Sequence, residues 1–145
     1  MTPLLHLDIP NDPDGLTAAL DAAEGFLQGW AVEAGDAAQV MIILDEVGSN
    51  IIRSAWPGGG AHLFQMELRM EAAAAGLELH LVALDDGVAF DPTGSGPPDL
   101  DLDLDSREPG GLGLFMVGEM SDTMAYSRVG GQNRLHVTKR LHLAA

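Results

Sequence analysis

Residues 40–70 read VMIILDEVGSNIIRSAWPGGGAHLFQMELRM, and the spacing of the apolar residues changes in the middle of this segment. Before Pro57, apolar side chains recur at three- and four-residue steps, which is typical of a helix with one buried face. After the glycines at 58–60, apolar and polar residues alternate, which is typical of a strand with one buried face. The segment therefore predicts a helix that ends near Pro57 and a strand that follows it.

The same patterns extend towards the N-terminus. Residues 4–9 predict a short first strand. Asp12 is predicted to cap the next helix, because Pro13 suits the first helical position. Gly35 is expected to end that helix, and Asp36 is expected to cap the helix that contains residues 40–54, with Gln39 completing a capping box.

Towards the C-terminus the chain predicts another strand at residues 77–83, a long irregular segment at 92–110 and a helix at 112–120. A final hairpin is predicted from strands at 123–128 and 134–143, with its turn at Gly130-Gly131. Within the last strand, Leu135, Val137, Leu141 and Leu143 are expected on one buried face, with Lys139 as its polar exception. Antiparallel hairpins with the helices grouped on one face predict an α+β fold, a two-layer α/β sandwich with a mixed, mostly antiparallel sheet.

The composition excludes several classes of function. The chain has 145 residues, which suits a single domain spanning 1–145. Its 22 acidic and 7 basic residues give a net charge of −15, which would repel nucleic acid and anionic membranes. It has no cysteine, so a thiol nucleophile and cysteine-bound metals are excluded. Lys139 is its one lysine and lies outside any P-loop motif.

The sequence shows no signal peptide and no window of about 20 uninterrupted apolar residues. We therefore expect a soluble, cytoplasmic protein without a membrane span.

Three short motifs carry polar residues suited to chemistry: LDEVGSN at 44–50, DDGVAFDP at 85–92 and GGLGL at 110–114. In the first, Glu46 and Asn50 are one helical turn apart and share a helix face. The amide oxygen of Asn50 suits Mg²⁺, and Glu46 is suited to accept a proton from a hydroxyl group or water that attacks a phosphate. The alternative is an ordinary solvent-exposed polar pair.

In the second motif, Asp85 follows a buried strand. A carboxylate there suits the amino group of adenine, which guanine lacks at that position. Gly87 allows the backbone to approach the ring, and Phe90 is either a wall of the base pocket or part of the core. The alternative is a strand-ending Asp-Asp-Gly turn.

In the third motif, Gly110, Gly111 and Gly113 surround Leu112 at the start of a helix, where free N–H groups suit phosphate. A purely structural glycine loop is the alternative. Arg107, in the preceding loop, is either a cation that closes over phosphates or a surface arginine. The segment at about 93–109 is expected to be a nucleotide lid.

No other metal site is predicted from the sequence. The aspartates at 99, 101, 103 and 105 fail the calcium-loop pattern, because glycine at position six and glutamate at position twelve are absent. The five histidines show no HExxH motif and no paired helical spacing, and His136 and His142 are expected at the surface.

Taken in this order, the three motifs resemble the N, G1 and G2 boxes of the GHKL ATPases. The chain is most similar to the anti-sigma-factor serine/threonine kinases of the RsbW/SpoIIAB type. The likeness continues through the C-terminal half, in Pro98-Asp99-Leu100-Asp101, Arg107, Asp122, Tyr126 and Asn133-Arg134-Leu135.

The resemblance implies a Bergerat-type ATP-binding fold and ATP and Mg²⁺ as cofactors. It implies that Glu46 is the catalytic base, that Asn50 is the magnesium ligand and that Asp85 contacts adenine. It further implies a homodimer that phosphorylates a STAS-domain anti-anti-sigma protein and alternately sequesters a sigma factor or another regulator.

The chain departs from the family pattern at Ser54, where a histidine or aromatic residue is usual. This departure leaves the efficiency of phosphate transfer open. The second hypothesis is therefore a nucleotide-binding anti-sigma module with little or no kinase activity. A third, the catalytic half of a sensor histidine kinase, is disfavoured because no phosphoacceptor helix pair precedes the domain in this sequence.

Overall fold

The computed structural model describes residues 3–94 and 111–144. The described chain forms five strands and three helices, together with a short 3₁₀ turn at Pro92–Gly94. In chain order the elements are β1 (Leu4–Pro10), α1 (Pro13–Gln28), α2 (Ala34–Ser54), β2 (Leu63–Ala73), β3 (Gly76–Asp85), α3 (Gly111–Met120), β4 (Thr123–Val129) and β5 (Gln132–Leu141).

The strands form one sheet in the order β1-β2-β3-β5-β4, and each neighbouring pair is antiparallel. One face of the sheet is buried and the other is largely polar, as the two-residue alternation predicts. The predicted α+β sandwich is confirmed, and all pairings among the described strands are antiparallel. Among the described residues, no helix has the length and apolar character needed to cross a membrane.

The core lies between the buried sheet face and the helices. The predicted stripe of α2, for example at Val40 and Val47, packs against alternating residues of the central strands, such as Phe64 and Leu81. Leu68 is fully buried at the middle of β2. Its truncation to alanine would remove the packing of a complete core side chain, at a cost of about 2–5 kcal/mol.

The start of α1 follows the prediction, whereas its end does not. Asp12 caps the helix, because its side chain accepts the backbone N–H of Gly15 at 2.6 Å. The helix ends at Gln28, and Gly35 lies inside α2. The chain reverses at Ala31, which adopts a left-handed conformation with φ 53°. The predicted stop at Gly35 was therefore wrong, because α1 ends at its C-cap residue Gly29 and Ala31 takes the left-handed conformation that was expected of Gly35.

The predicted cap of α2 was also wrong. The N-cap position is Glu33, whose side chain makes no capping hydrogen bond. Asp36 instead accepts the backbone N–H of His142 at 2.7 Å and contacts its ring Nδ1 at 2.9 Å. Burial by itself would raise the pKa of Asp36, but these contacts with His142 outweigh it and hold that pKa below its ordinary value. The carboxylate therefore ties the end of the chain to α2.

Lys139, which lies on the inward face of β5, forms hydrogen bonds with two polar partners. The buried ammonium group donates to Gln39 Oε1 at 2.7 Å and to the backbone carbonyl of Met120 at 2.7 Å. Gln39 therefore bonds to the sheet rather than completing a capping box. Leu143 lies beyond the end of β5 and is exposed, contrary to the prediction that it shares the buried face.

His136 and His142, which were both expected at the surface, differ in their exposure to solvent. His142 is exposed, as predicted. His136 lies on the polar sheet face but is half-buried against His80, with Nε2 of His136 3.0 Å from Nδ1 of His80. Burial, followed by the electrostatic effects of His80 and Arg134, lowers the pKa of His136.

Candidate functional site

A pocket lies between α2, the end of β3 and the sheet edge formed by β4 and β5. Three of the predicted site residues line it, namely Asn50, Asp85 and Phe90. It is also lined by Ser54, Tyr126 and Asn133, which the sequence analysis did not assign to the site.

The helix α2 places Asn50 at the pocket through its apolar stripe. Val47 and Ile51 are buried on either side of Asn50 in sequence, and they fix the rotation of the helix. The amide group of Asn50 forms no hydrogen bond with any residue that the structure describes. Ser54 donates its hydroxyl to the backbone carbonyl of Asn50 at 2.6 Å. The amide of Asn50 is thus left available to a ligand at the pocket wall.

Asp85 is buried at the last position of β3. Its Oδ1 accepts the backbone N–H of Gly87 at 3.0 Å and the side-chain amide of Asn133 at 2.9 Å. Within the described parts of the chain, no hydrogen bond uses the second oxygen, Oδ2. One oxygen of the carboxylate is therefore held by the protein, and the other is available to a donor such as an exocyclic amino group.

Asp86, the neighbour of Asp85, is turned away from the pocket. It accepts the indole N–H of Trp56 at 3.1 Å, outside the pocket lining. The alternation of side chains along an extended chain explains this separation. Of the two adjacent carboxylates, only Asp85 belongs to the site.

Asn133 organises the loop that follows β3. Besides Asp85, its amide N–H donates to the carbonyl of Val88 at 2.8 Å. Its Oδ1 accepts from the Tyr126 hydroxyl, from Arg128 Nη1 at 3.1 Å and from the backbone N–H of Phe90 at 3.3 Å. Since a buried asparagine with all of these partners is held in one orientation, it fixes both the carboxylate and the loop.

A sequence signal for Asn133 existed. It lies two residues before Leu135 in the inward-facing series of β5, so it is a polar residue on a buried face. Such residues need hydrogen-bond partners and are therefore candidates for a site. The partner itself, Asp85, is 48 positions away in sequence, and only the pairing of β3 with β5 brings the two together.

Gly87 has a packing role in this structure. A Cβ atom at this position would overlap the backbone of Ala55, the C-cap residue of α2. The adjacent Val88 donates its backbone N–H to the Ala55 carbonyl at 2.8 Å. The glycine therefore allows the loop to lie directly against the end of α2. The predicted approach of this glycine to an adenine ring remains a prediction.

Glu46 lies beside the first turn of α3 rather than in the pocket lining. It is half-buried, and a Cβ atom added at Gly113 would overlap its carboxylate. The structure thus brings together Glu46 and Gly113, residues from two different motifs. The first turn of a helix has unpaired N–H groups and a partial positive charge, both of which favour phosphate. A carboxylate next to such a turn is in a suitable place for a general base.

The remaining predicted residues are described only in part. Gly111 begins α3, and Leu112 follows it in the same helix. Arg107, Gly110 and the predicted lid from residue 95 onwards lie outside the described residues, so their predicted roles in nucleotide binding remain predictions.

Comparison with known proteins gives three findings. Residues 9–139 match the family model of the histidine kinase-like ATPase domain. The serine/threonine-protein kinase BtrW of Bordetella bronchiseptica is 33% identical over 94 residues, which cover 65% of this chain and 63% of that protein. The crystal structure of the RsbU and RsbW domains of a Mycobacterium tuberculosis protein matches with a TM-score of 0.63, over 99% of this chain and 35% of that chain. Because the two sequences are only 14% identical, this match shows a likeness of fold alone.

Proposed function

Because the chain belongs to the family of histidine kinase-like ATPase domains, we propose that it is an ATP-dependent protein-serine/threonine kinase. In this proposal it acts as a partner-switching anti-sigma regulator. It phosphorylates a STAS-domain anti-anti-sigma protein and alternately binds a sigma factor or another regulator. The similarity to BtrW supports the kinase activity. A cytoplasmic homodimer formed by a single domain, residues 1–145, is part of the same proposal.

The observation that carries the proposal is the buried carboxylate of Asp85, which is held by Asn133 and lines the pocket. Burial of a charged group is costly unless it has partners. Here the protein supplies two donors to Oδ1, and the amino group of adenine would supply a third to Oδ2. Guanine presents a carbonyl oxygen at that position, which a carboxylate repels. The site therefore favours ATP over GTP.

The residues around the pocket fit a magnesium-bound triphosphate. Asn50 offers a neutral amide oxygen, which is a ligand that Mg²⁺ accepts. Mg²⁺, when bound, would neutralise part of the phosphate charge. Glu46 holds the position at which the proton of an attacking serine or threonine hydroxyl would be accepted, beside the first turn of α3.

The test of ATP recognition uses Asp85→Asn with Asp86→Asn as its matched control. Both changes replace a carboxylate by an amide, but only Asp85 lines the pocket. An amide whose NH₂ group faces the adenine amino group loses a charge-assisted hydrogen bond, which contributes about 1.5–3 kcal/mol. Titration calorimetry should show ATP binding at least about tenfold weaker in Asp85→Asn and unchanged in Asp86→Asn. Equal ATP affinity in all three proteins would overturn the adenine assignment.

The second candidate function, a binding module with little kinase activity, is favoured by one feature. Ser54 stands at the pocket wall with its hydroxyl bonded back to the α2 backbone, where a larger side chain is usual in the resembling kinases. Transfer of labelled phosphate from ATP to a candidate STAS protein distinguishes the two functions. If the protein binds ATP but transfers no phosphate to any STAS candidate, the binding module is the correct function.

A further inference from the structure

The sheet face opposite the helices carries a cluster of histidine and glutamate side chains. Glu71 in β2 and Glu78 in β3 are directly paired across the two strands. His80 lies two residues beyond Glu78 and therefore on the same face. Two like charges in direct opposition destabilise a strand pair. A cation between these carboxylates would remove that repulsion.

The ligand atoms of the cluster converge on one point. His80 Nε2 is 2.8 Å from Glu78 Oε1 and 3.2 Å from Glu71 Oε2. One possible ligand atom from each of the three residues lies within 4.8 Å of the other two. Arg69 contacts the other oxygen of Glu71, Oε1, at 3.3 Å, which leaves Oε2 on the side of His80. Around a metal with bonds of about 2.0–2.1 Å, neighbouring ligand atoms are about 3–3.4 Å apart. The two distances from His80 Nε2 are close to that spacing.

The nitrogen at the centre of the cluster forms no hydrogen bond with the described part of the chain. Among the described residues, His80 Nε2 is the one buried side-chain nitrogen or oxygen without a hydrogen-bond partner. The two carboxylate oxygens are near it, but they lie off the direction in which a ring N–H points. If a metal ion were bound to Nε2 along that direction, its other ligands, such as the two carboxylate oxygens, would lie to the side of the line from Nε2 to the metal. A buried polar atom of this kind calls for a bound group as its explanation.

The other ring nitrogen of His80 is held by a second histidine. Nδ1 is 3.0 Å from Nε2 of His136, and the two rings are stacked with their centroids 5.2 Å apart. Histidines that bind a metal through one nitrogen usually donate the other ring N–H to a fixed acceptor. His136 is placed to be that acceptor, and it orients the ring of His80.

Two other histidines lie near carboxylates in arrangements that are less suited to a metal ion. Around His6, Glu67 contacts Nδ1 and Asp8 contacts Nε2, so the two carboxylates lie on different sides of the ring. In the group of His142, Glu33 and Asp36, the oxygen of Asp36 already contacts both the ring and the backbone N–H of His142.

We propose that His80, Glu71 and Glu78 form a binding site for a divalent transition metal such as Zn²⁺, with His136 as the outer residue that positions His80. The site is separate from the nucleotide pocket, because it lies on the opposite face of the sheet. An imidazole ligand favours zinc-class ions over Mg²⁺ and Ca²⁺, which prefer oxygen ligands. Water would complete the coordination at this half-exposed surface.

The test is a calorimetric titration of the full, nucleotide-free chain with ZnCl₂ after treatment with a chelator. We expect one Zn²⁺ per chain and a rise in melting temperature on binding. His80→Gln and Glu78→Gln should each weaken binding by about tenfold or more, and His136→Gln by about tenfold. A large excess of MgCl₂ should not displace the metal.

Two control variants keep the test specific. Glu67→Gln removes a carboxylate from the same sheet face, and His142→Gln disrupts the second group of candidate ligands; both should bind Zn²⁺ like the wild type. Melting temperatures without metal establish that each variant is folded. Absence of Zn²⁺ binding, full binding by His80→Gln, loss of binding in His142→Gln or displacement by Mg²⁺ would each overturn the proposal.

Discussion

Asn133 and Asp85 are both buried, and the amide of Asn133 donates to Oδ1 of Asp85 at 2.9 Å. The two residues are directly paired in the register of β5 and β3. The hydrogen bond therefore depends on the alignment of two strands that are joined through α3 and β4. This hydrogen bond links the pocket to the sheet, and the two residues that it joins have different roles. Asp85 is proposed to face the nucleotide, whereas Asn133 positions it.

Replacement of Asn133 should affect binding through Asp85 and the loop that follows β3. Asn133→Ala removes five hydrogen bonds and leaves the buried carboxylate with the backbone N–H of Gly87. We expect a loss of about 2–4 kcal/mol in unfolding free energy, together with weaker ATP binding. Urea unfolding and calorimetry measure the two effects.

A matched control for Asn133 is Gln132→Ala on the adjacent, exposed position of β5. Its stability should change by less than about 0.5 kcal/mol. If Asn133→Ala binds ATP as tightly as the wild type, Asn133 does not position Asp85.

The role of Glu46 is tested by Glu46→Gln, which keeps the shape of the side chain and removes its basic charge. ATP binding should persist, while phosphate transfer should fall by about 10²–10⁴-fold. The neighbouring Asp45 is exposed and contacts Ser49 one turn along the helix. Asp45→Asn is therefore the matched control and should transfer at the wild-type rate. Undiminished transfer by Glu46→Gln would remove Glu46 from the catalytic role.

The contact between α2 and α3 predicts opposite results for two glycines of one helix. A Cβ atom at Gly113 would overlap the carboxylate of Glu46, whereas at Gly118 its nearest neighbour would be Met124 Cε at 3.8 Å. Gly118→Ala should stabilise the protein by up to about 1 kcal/mol through helix propensity and leave transfer unchanged. Gly113→Ala should displace Glu46 and reduce transfer.

Thermal unfolding and the phosphate-transfer assay measure both glycine variants. If Gly113→Ala gains stability and transfers phosphate as fast as Gly118→Ala, the close approach of α3 to Glu46 has no role in catalysis.

The tie between Asp36 and His142 predicts a dependence of stability on pH. The pKa of Asp36 in the folded protein lies below its ordinary value of 3.8. Its contribution to stability is therefore complete above pH 3.8 and is lost as the pH falls through the lower, folded value. Asp36→Asn should be less stable than the wild type at pH 7 by about 1–2 kcal/mol.

The difference between Asp36→Asn and the wild type should shrink as the pH falls below 3.8, because protonation makes the two side chains similar. Urea unfolding between neutral and acidic pH measures it. The exposed Asp21 on α1 provides a control, since Asp21→Asn should follow the wild type. A constant difference between Asp36→Asn and the wild type at all pH values would show that the carboxylate charge has no part in this tie.

The amino-acid sequence alone determined the features that depend on neighbouring residues. The stripe of α2, the alternation in β2 and β3 and the Asp12 cap are all set by spacings of two to four residues, which constrain a helix or strand directly. Asn50 and Asp85 were predicted as site residues from their positions relative to predicted elements, together with the resemblance of their motifs to the N and G1 boxes.

Helix ends were less predictable, because they depend on competing local conformations and on distant partners. Gly35 has the residue type of a helix stop, but α1 ends at Gly29 and Ala31 adopts the left-handed conformation. Asp36 and Gln39 form hydrogen bonds with His142 and Lys139 instead of capping α2. The sequence gives no local signal for either competition.

Only the tertiary structure decided which polar groups meet. Asn133 reaches Asp85, Gly113 approaches Glu46, and His80 contacts His136 across 56 positions in the sequence. Each of these contacts joins elements that are remote along the chain and adjacent in the sheet or helix layer. The physical reason is that strand register and helix packing are set by the whole buried core, whereas local spacing fixes only which face each side chain occupies.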